Sequence, residues 1–407
     1  MTLAEDLTQD VVPDTAARRV EFVSQIHTAP STELDPVPTK GIDPEYLKRY
    51  VHALEDAGFD YTLLPYGSGG ADSFILASAV GQISETIKPI VAVRPNTSFP
   101  LVVAQQLATL DQLTEGRATV HIISGGSDAE QARQGDYLPK DRRYARSAEF
   151  IQLLRRAWTE KEPFDFDGEF YRFDNFGPGF ATYGGEALPI SFGGQSDAAF
   201  EVGGRHADIY AFWGEPLAEL RKELARLDEI SAAANRKRPR VWVTFRPIIA
   251  PTEELAWEKA YEYVGKIGRT FQDQAYFQRG FNRTAPPQNT GSQRALEFAG
   301  QQEVFDRALW TATAAATNAS GAATALVGTP ETVAAAILDY IDLGADVVSI
   351  RGYDNLNDTI DYGRTVLPLV HQELAHREAT GRKGGLQAQH LGALVDGFDP
   401  AALAGVH

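Results

Sequence analysis

Short apolar runs and amphipathic stretches alternate along most of this chain. Arg18–Ile26, "RRVEFVSQI", has the β-branched and aromatic content of a strand. Asp43–Gly58 carries apolar residues at helical spacing, with Asp43 as N-cap and Gly58 as stop. Asp60–Tyr66 predicts a second strand and "ADSFILASAVGQI" a second helix. Lys88–Pro95 predicts a third strand, followed by a helix over "SFPLVVAQQLATLDQLTEG". Arg117–Gly126 is the fourth strand, and "DRRYARSAEFIQLLRRAW" its helix. Phe164–Phe176 alternates as an inserted hairpin would. Leu188–Gly194, Asp208–Gly214, Arg240–Ile249 and Ala345–Gly352 complete a set of eight strands.

Strands that are apolar on both faces and separated by helices are buried parallel strands. Eight of them predict an α/β fold, a (β/α)8 TIM barrel with insertions. The competitor is an open doubly wound sheet, which usually has fewer strands. About sixty residues between the helices "EELAWEKAYEYVGKIG" and "TPETVAAAILDYIDLG" break the rhythm, and so long an excursion late in a barrel is usually functional. The expected organisation is a flexible arm over 1–18, one barrel domain over 19–375, an insertion at 161–187, a lid at 268–322, and a tail over 376–407.

Composition narrows the function classes. The chain has 407 residues, 43% hydrophobic and 23% charged, which is ample core material for one elaborated barrel. The net charge of −17 lacks the basic face that a sequence-independent nucleic-acid binder needs, so no nucleic-acid partner is expected. There are no cysteines, which excludes disulfides and a Cys nucleophile. No apolar stretch approaches the ~20 residues of a membrane span. The acidic, polar N-terminus does not read as a signal peptide, so the expected setting is cytoplasmic.

A barrel of this kind carries its chemistry at the C-terminal ends of its strands. Those ends hold His27, Tyr66, Arg94–Asn96, Ser124–Gly126, Gly193–Ser196, Trp213, Arg246 and Arg351–Tyr353. They offer no carboxylate pair for glycoside hydrolysis and no metal-ligand cluster. "ISFGGQSDAAF" (Ile190–Phe200) is the most informative of them. A strand, two glycines and the free N–H groups of a helix start can cradle an anion, with Gln195 and Ser196 adding donors. The alternative is a tight turn that needs glycine, with Ser196 as an ordinary cap. "GSGGAD" (Gly67–Asp72) follows a strand but lacks the third glycine of the dinucleotide fingerprint.

These strand ends resemble the bacterial luciferase-like flavin-dependent monooxygenases, and among them the alkanesulfonate monooxygenase group. The likeness runs over roughly residues 20–370. It rests on "AVRPNTSFPLVVAQQLATLDQLTEGRA", "GGSDAEQ", "RRYARSAEF", "PISFGGQSD", "YAFWGEP", "TALVGTPETVAA" and "GYDNL". The resemblance implies a barrel that binds reduced FMN (FMNH2) and O2, with an NAD(P)H:FMN reductase supplying the flavin. It implies phosphate contacts at Gly194, Gln195, Ser196 and Tyr144. The ring-side loops fall on Arg94–Asn96, including Asn96, and on Ser124 and Gly125. Trp213 and Tyr353 fall on pocket aromatics. A homodimer or homotetramer is implied as well.

Several positions depart from the family pattern. The pocket cysteine falls on Gly70, the strand-seven Arg-x-His on Thr244 and Arg246, the lid arginine on Ala319, and a histidine on Asn355. Arg351 stands where the family has a small residue. One set of cations is gone, and Arg246 with Arg351 supplies another at the ends of strands seven and eight. Two arginines there suit an anionic or strongly polar substrate. The alternative is that they pair with local acids such as Asp354 or Asp358.

The expected activity is therefore FMNH2- and O2-dependent desulfonation of an alkanesulfonate-type substrate to aldehyde and sulfite. Tyr353, Arg246 and His27 are the catalytic candidates; Trp213, Arg351, Asn355 and Tyr66 are the substrate-binding ones. For His27 the alternative is a satisfied buried side chain. The rival readings are a luciferase-type monooxygenase on a sulfone, thioether, amine or ketone, a deazaflavin (F420) oxidoreductase, and a non-catalytic flavin-binding protein.

Overall fold

The computed structural model describes residues 19–36, 41–177, 179–272, 286–319, 324–384 and 386. The expected arm at 1–18 lies outside them. So do most of the expected tail and residues 273–285 and 320–322 of the expected lid.

The chain runs through strands β1 (Glu21–Gln25), β2 (Tyr61–Leu64), β3 (Lys88–Val93), β4 (Thr119–Ile122), β5 (Phe164–Asp167), β6 (Arg172–Phe176), β7 (Ile190–Gly193), β8 (Ile209–Trp213), β9 (Arg240–Ile249), β10 (Val304–Phe305), β11 (Leu309–Trp310), β12 (Ala325–Gly328) and β13 (Ala345–Ile350). Eight of these, in the order β1-β2-β3-β4-β7-β8-β9-β13, pair in parallel, and β13 returns to β1 to close the barrel. The fold is a (β/α)8 TIM barrel, as the strand count predicts.

Local chemistry sets the helix starts. Asp43 accepts the N–H groups of Glu45 and Tyr46, and Pro44 opens that helix. Asp72 caps the helix Ser73–Ile83, and Thr329 caps Pro330–Leu343. The outer core packs these helices on the barrel, with Tyr50, Leu107, Phe150, Ile337 and Val370 fully buried.

Inside the barrel, strand alternation stacks the side chains in layers. At the N-terminal end Glu21 accepts from Arg240 (2.6 Å), Lys88 (3.1 Å) and the Tyr61 hydroxyl (3.2 Å). Above this plug lie Val23, Ile90, Ile209, Trp242 and Val347. The inward positions one step further up face open space, described below.

The excursion holds elements that the sequence pattern did not predict. β9 spans 10 residues, and its neighbours β8 and β13 pair only with its first half. The outer half, Arg246–Ile249, pairs in parallel with β12, which the hairpin β10–β11 extends. "ALVG" reads as loop in the sequence because four apolar residues are too short a signal. The helix Thr290–Gln301 and the turn Ala312–Ala316 also belong to the excursion. Among the described residues no helix is long and apolar enough to cross a membrane.

Glu21 is the one acid in the barrel plug. Burial pulls its pKa up, but Arg240 and Lys88 outweigh that and hold it below the ordinary carboxylate range. Glu21→Gln should lower unfolding stability in urea by about 1.5–3 kcal/mol at neutral pH, the loss of hydrogen bonds to a charged group. A lowered folded pKa contributes stability that is complete above the unfolded value and lost as pH falls through the folded one. The gap between wild type and variant should therefore narrow in acid. An equal gap at all pH values would remove Glu21 from this role.

Candidate active site

The C-terminal mouth of the barrel holds a cavity of about 470 Å³. Its floor is formed by the next inward positions of five strands, Gln25, Leu63, His121, Ala211 and Ser349, together with the Trp242 ring from the layer below. Arg94, Thr244 and Arg351 stand above them, and Ser124–Gly126 follow β4.

One wall is the segment in which an anion cradle was expected. Gly193, Gly194, Gln195 and Ser196 line it, facing Tyr144 and Lys140. Ser196 caps the helix Asp197–His206 by accepting from the Ala199 N–H at 3.3 Å, so the free N–H groups of the first turn open on the cavity. Gly194 has φ +146°, and a Cβ there would come within 2.7 Å of the Ala199 Cβ and 3.1 Å of the Tyr144 hydroxyl. Only glycine fits. Tyr144 faces Ser196, and burial raises its pKa, so it stays a neutral phenol. Lys140 lies one helical turn before Tyr144 and adds a cation.

The excursion roofs the cavity. Asn289, Thr290 and Gly291 line it from above. A Cβ at Gly291 would meet Gln195 Oε1 at 2.7 Å and the Trp213 ring at 3.2 Å, so this turn sits directly on both. Gln288 accepts from the Asp128 N–H at 2.8 Å, tying the turn to the loop after β4. Arg294 donates to both oxygens of Glu215 (2.8 and 2.7 Å), and Glu215 also accepts from the Gln195 amide at 2.5 Å.

Eight of the expected site residues line this cavity: Ser124, Gly125, Tyr144, Gly194, Gln195, Ser196, Trp213 and Arg351. The others do not. Asn96 faces a second, smaller cavity with Asp136 and Arg146. Tyr66 lies under Arg94, whose guanidinium is 4.9 Å from its ring, and accepts from Gln134. Asn355 is buried at the start of the helix Asn355–Arg364.

The two arginines differ. Arg246, expected to face substrate, is 4% exposed and pairs with Glu33 at 2.5 Å. It donates to the Gly352 carbonyl at 3.0 Å and lies 3.7 Å over the Tyr353 ring. Its acid is thus neither Asp354 nor Asp358. Asp358 instead accepts the N–H groups of Tyr353 and Asp354. Tyr353, expected in the pocket, is 1% exposed in an apolar cluster with Trp257 and Trp310. Arg351 lines the cavity, and among the described residues its guanidinium has no acid partner. Burial and then the Arg246 charge pull its pKa to about 10, which still leaves it cationic at neutral pH.

His27 packs edge-on against Tyr50 at 5.6 Å, behind the cavity rather than in it. Burial first, then the charges of Arg351 and Arg246, depress its pKa to about 3. It is neutral, with Nε2 shut away from solvent and unpartnered among the described residues. Sequence reasoning missed Lys140, His121, Glu33 and the Glu215–Arg294 pair. The i, i+4 spacing to Tyr144 was a signal for Lys140, and strand parity with Thr119 and Ile123 for His121. Glu33 is a loop acid with no pattern around it. Among the described residues no cluster of His, Asp and Glu could hold a metal ion.

The chain matches the family model for luciferase-like monooxygenases over residues 22–347. Its fold is similar to that of riboflavin lyase solved with modified FMN and substrate riboflavin, at 20% identity and a TM-score of 0.70, covering 92% of this chain and 96% of that one. It is also similar to the EDTA monooxygenase of Chelativorans sp. BNC1, at 19% identity and TM-score 0.70, covering 87% and 94%. DmoA of Hyphomicrobium sulfonivorans is 18% identical with TM-score 0.69, covering 95% and 98%.

Arg294 is the charge that holds the roof helix on the barrel. Arg294→Ala should leave the buried Glu215 without its cation and loosen Thr290–Gln301. Amide exchange in that helix should quicken at least about tenfold, the ratio that a loss of about 1.4 kcal/mol of local stability gives. Unchanged protection there would remove the pair from this role.

Proposed function

The chain belongs to the luciferase-like monooxygenase family, and on that premise we propose that it is an FMNH2- and O2-dependent monooxygenase of a small anionic or strongly polar organosulfur compound. The observation that carries this reading is the charge layout of one cavity. A glycine cradle with a helix start and Lys140 lies on one side, and on another lies Arg351, a cation with no acid partner among the described residues.

The residues present fit a mononucleotide flavin. Gly194 leaves the space that any Cβ would fill, and Gln195, Ser196, Tyr144 and Lys140 would hold the phosphate. Ser124 and Gly125 would border the ring. Reduced FMN, when bound, supplies the electron pair that activates O2. A separate NAD(P)H:FMN reductase as supplier agrees with the missing dinucleotide fingerprint at Gly67–Asp72.

The chain's own residues then bind, orient and exclude water. Arg351 holds the substrate anion and offsets negative charge that develops on the departing group. Trp213 forms an apolar wall beside it. The Asn289–Gly291 turn closes the mouth, and a dry site protects reactive oxygen species from hydrolytic loss. For a sulfonate, RCH2SO3−, O2 and FMNH2 give RCHO, HSO3−, FMN and H2O; the carbon–sulfur bond breaks and one oxygen atom enters the aldehyde. Arg246, Tyr353 and His27 lie behind the cavity, where Arg246 repels Arg351 and Glu33 offsets that repulsion. A homodimer or homotetramer belongs to this reading through the family resemblance.

One observation favours a second substrate class. Glu33 neutralises Arg246, and Ala319 is buried against Ala295 and Ala314, so of the two arginines expected to meet substrate at the ends of strands seven and eight only Arg351 lines the cavity. A sulfone, thioether, amine or ketone asks for less charge than a sulfonate.

The test is a coupled assay with FMN, NADH, a flavin reductase and a substrate panel, reading sulfite and aldehyde. Sulfite from a sulfonate is the expected result. Oxygenated product only from an uncharged substrate moves the assignment to the second class. Binding of F420 but not FMN overturns the flavin reading. Arg351→Ala should raise KM for an anionic substrate by about tenfold to a hundredfold, since a hydrogen bond to a charged group contributes about 1.5–3 kcal/mol. An unchanged KM removes Arg351 from anion binding.

A further inference from the structure

The cavity floor carries one titratable side chain that the proposed reaction leaves unused, His121 on β4. It is register-paired with Ser191 of β7, the strand that leads into the cradle. Its Nδ1 lies 2.9 Å from the Ser191 hydroxyl. That hydroxyl donates in turn to the Val120 carbonyl at 3.1 Å.

A carbonyl oxygen only accepts, and a hydroxyl has a single proton to give. With that proton directed to Val120, Ser191 has only lone pairs left for His121. Nδ1 must then carry the ring N–H, and Nε2 is left as a bare acceptor. No second proton arrives at neutral pH, because burial lowers the ring's pKa to about 4.

Nε2 has no hydrogen-bond partner among the described residues, and it is not sealed away either. The ring is partly buried, and it contributes to the cavity lining. Leu63, Ala211 and Trp242 surround it with carbon. The three cations that line the same cavity, Lys140, Arg351 and the Glu130-paired Arg94, can only donate. His121 is complementary to them. It also sits close beneath the cradle, since a Cβ on Gly193 would come within 3.7 Å of His121 Cε1.

We infer that His121 is a fixed-tautomer acceptor: Nε2 takes a hydrogen bond from an N–H or O–H of the bound flavin, and Ser191 is the positioning residue that locks the ring. The ligand half rests on the FMN reading; the tautomer half does not. The donor is either a ribityl hydroxyl, which a flavin carries next to its phosphate, or the ring imide, which lies farther along the molecule. An acceptor that cannot become a donor rejects a ligand that presents only lone pairs at this point, since the two would face each other unpaired.

The experiment uses the full-length, 15N-labelled protein and long-range 15N–1H correlation of its imidazoles, with the His121 signals assigned by their loss in His121→Phe. Protonated Nδ1 and bare Nε2 are expected in wild type, and a tautomer mixture in Ser191→Ala. A wild-type ring protonated at Nε2 overturns the proposal. Adding FMN should shift Nε2 and leave Nδ1 nearly still. The dissociation constant of FMN, followed by flavin fluorescence, should rise about threefold to tenfold in His121→Phe, the ratio for one neutral hydrogen bond, and by less in Ser191→Ala. FMN labelled out of its imide proton by 3-methylation tells the sources apart. Loss of the Nε2 shift with it identifies the imide, and retention identifies the ribityl chain. FMN that binds tightly without moving Nε2 overturns the contact. FMN that fails to bind overturns the flavin reading and the ligand half with it, while the tautomer is still read from the free protein.

Discussion

Strand β9 is ten residues long in a barrel whose other strands have four to six, and its surplus length has to find backbone partners. Its first half is shared between β8 and β13. Its second half leaves the barrel and takes β12 instead, with the Arg246 N–H donating to the Thr324 carbonyl at the changeover. The parity of the strand does not change there. Trp242 and Thr244 point into the cavity, and Arg246, next in the same phase, points into the space between the barrel rim and the added sheet. One geometrical fact thus decides which of two similar arginines meets solvent in the cavity and which is enclosed.

Charge follows from that placement. An enclosed guanidinium needs a counter-ion, and Glu33 supplies it from the loop after β1. Burial works to raise the Glu33 pKa, but the charges of Arg246 and Arg351 overcome it and keep the carboxylate ionised. One acid between two cations leaves a net positive charge. It is felt at His27, which stays neutral, and it is expressed at Arg351, whose lining position gives it access to a ligand. Tyr353 completes the arrangement by offering Arg246 its ring face at 3.7 Å.

The barrel was legible because eight apolar runs of strand length, spaced by capped amphipathic helices, leave few other solutions. The glycine turn after β7 was legible for the same kind of reason. Two glycines between a strand and a Ser-capped helix state a backbone requirement, and Gly194 meets it at a φ that other residues avoid. What was hidden is what depends on distance in sequence. Glu33 and Arg246 are 213 residues apart, and nothing in either neighbourhood announces the other. Strand ends alone could not say that β9 continues past the rim, so Arg246 and Tyr353 read as cavity residues when they are packing residues. β12 escaped because four apolar residues become a strand only when a partner edge is already there.

Roof and cradle are joined at several points, and one of the links is a buried carboxylate. Glu215 is 2% exposed, and its oxygens accept from Gln195 in the cradle and from Arg294 in the roof helix. A carboxylate taken out of water is tolerable only while its lone pairs are satisfied. Lifting the roof removes the cation and leaves one amide to solvate the charge. Turning the Gln195 amide toward a ligand removes the amide and leaves the cation. Each change weakens the charge's solvation, so the second is costlier once the first has happened. Were a ligand in the cradle to turn the Gln195 amide, its binding and the lifting of the roof would oppose each other through Glu215, and a filled cradle would favour the closed mouth.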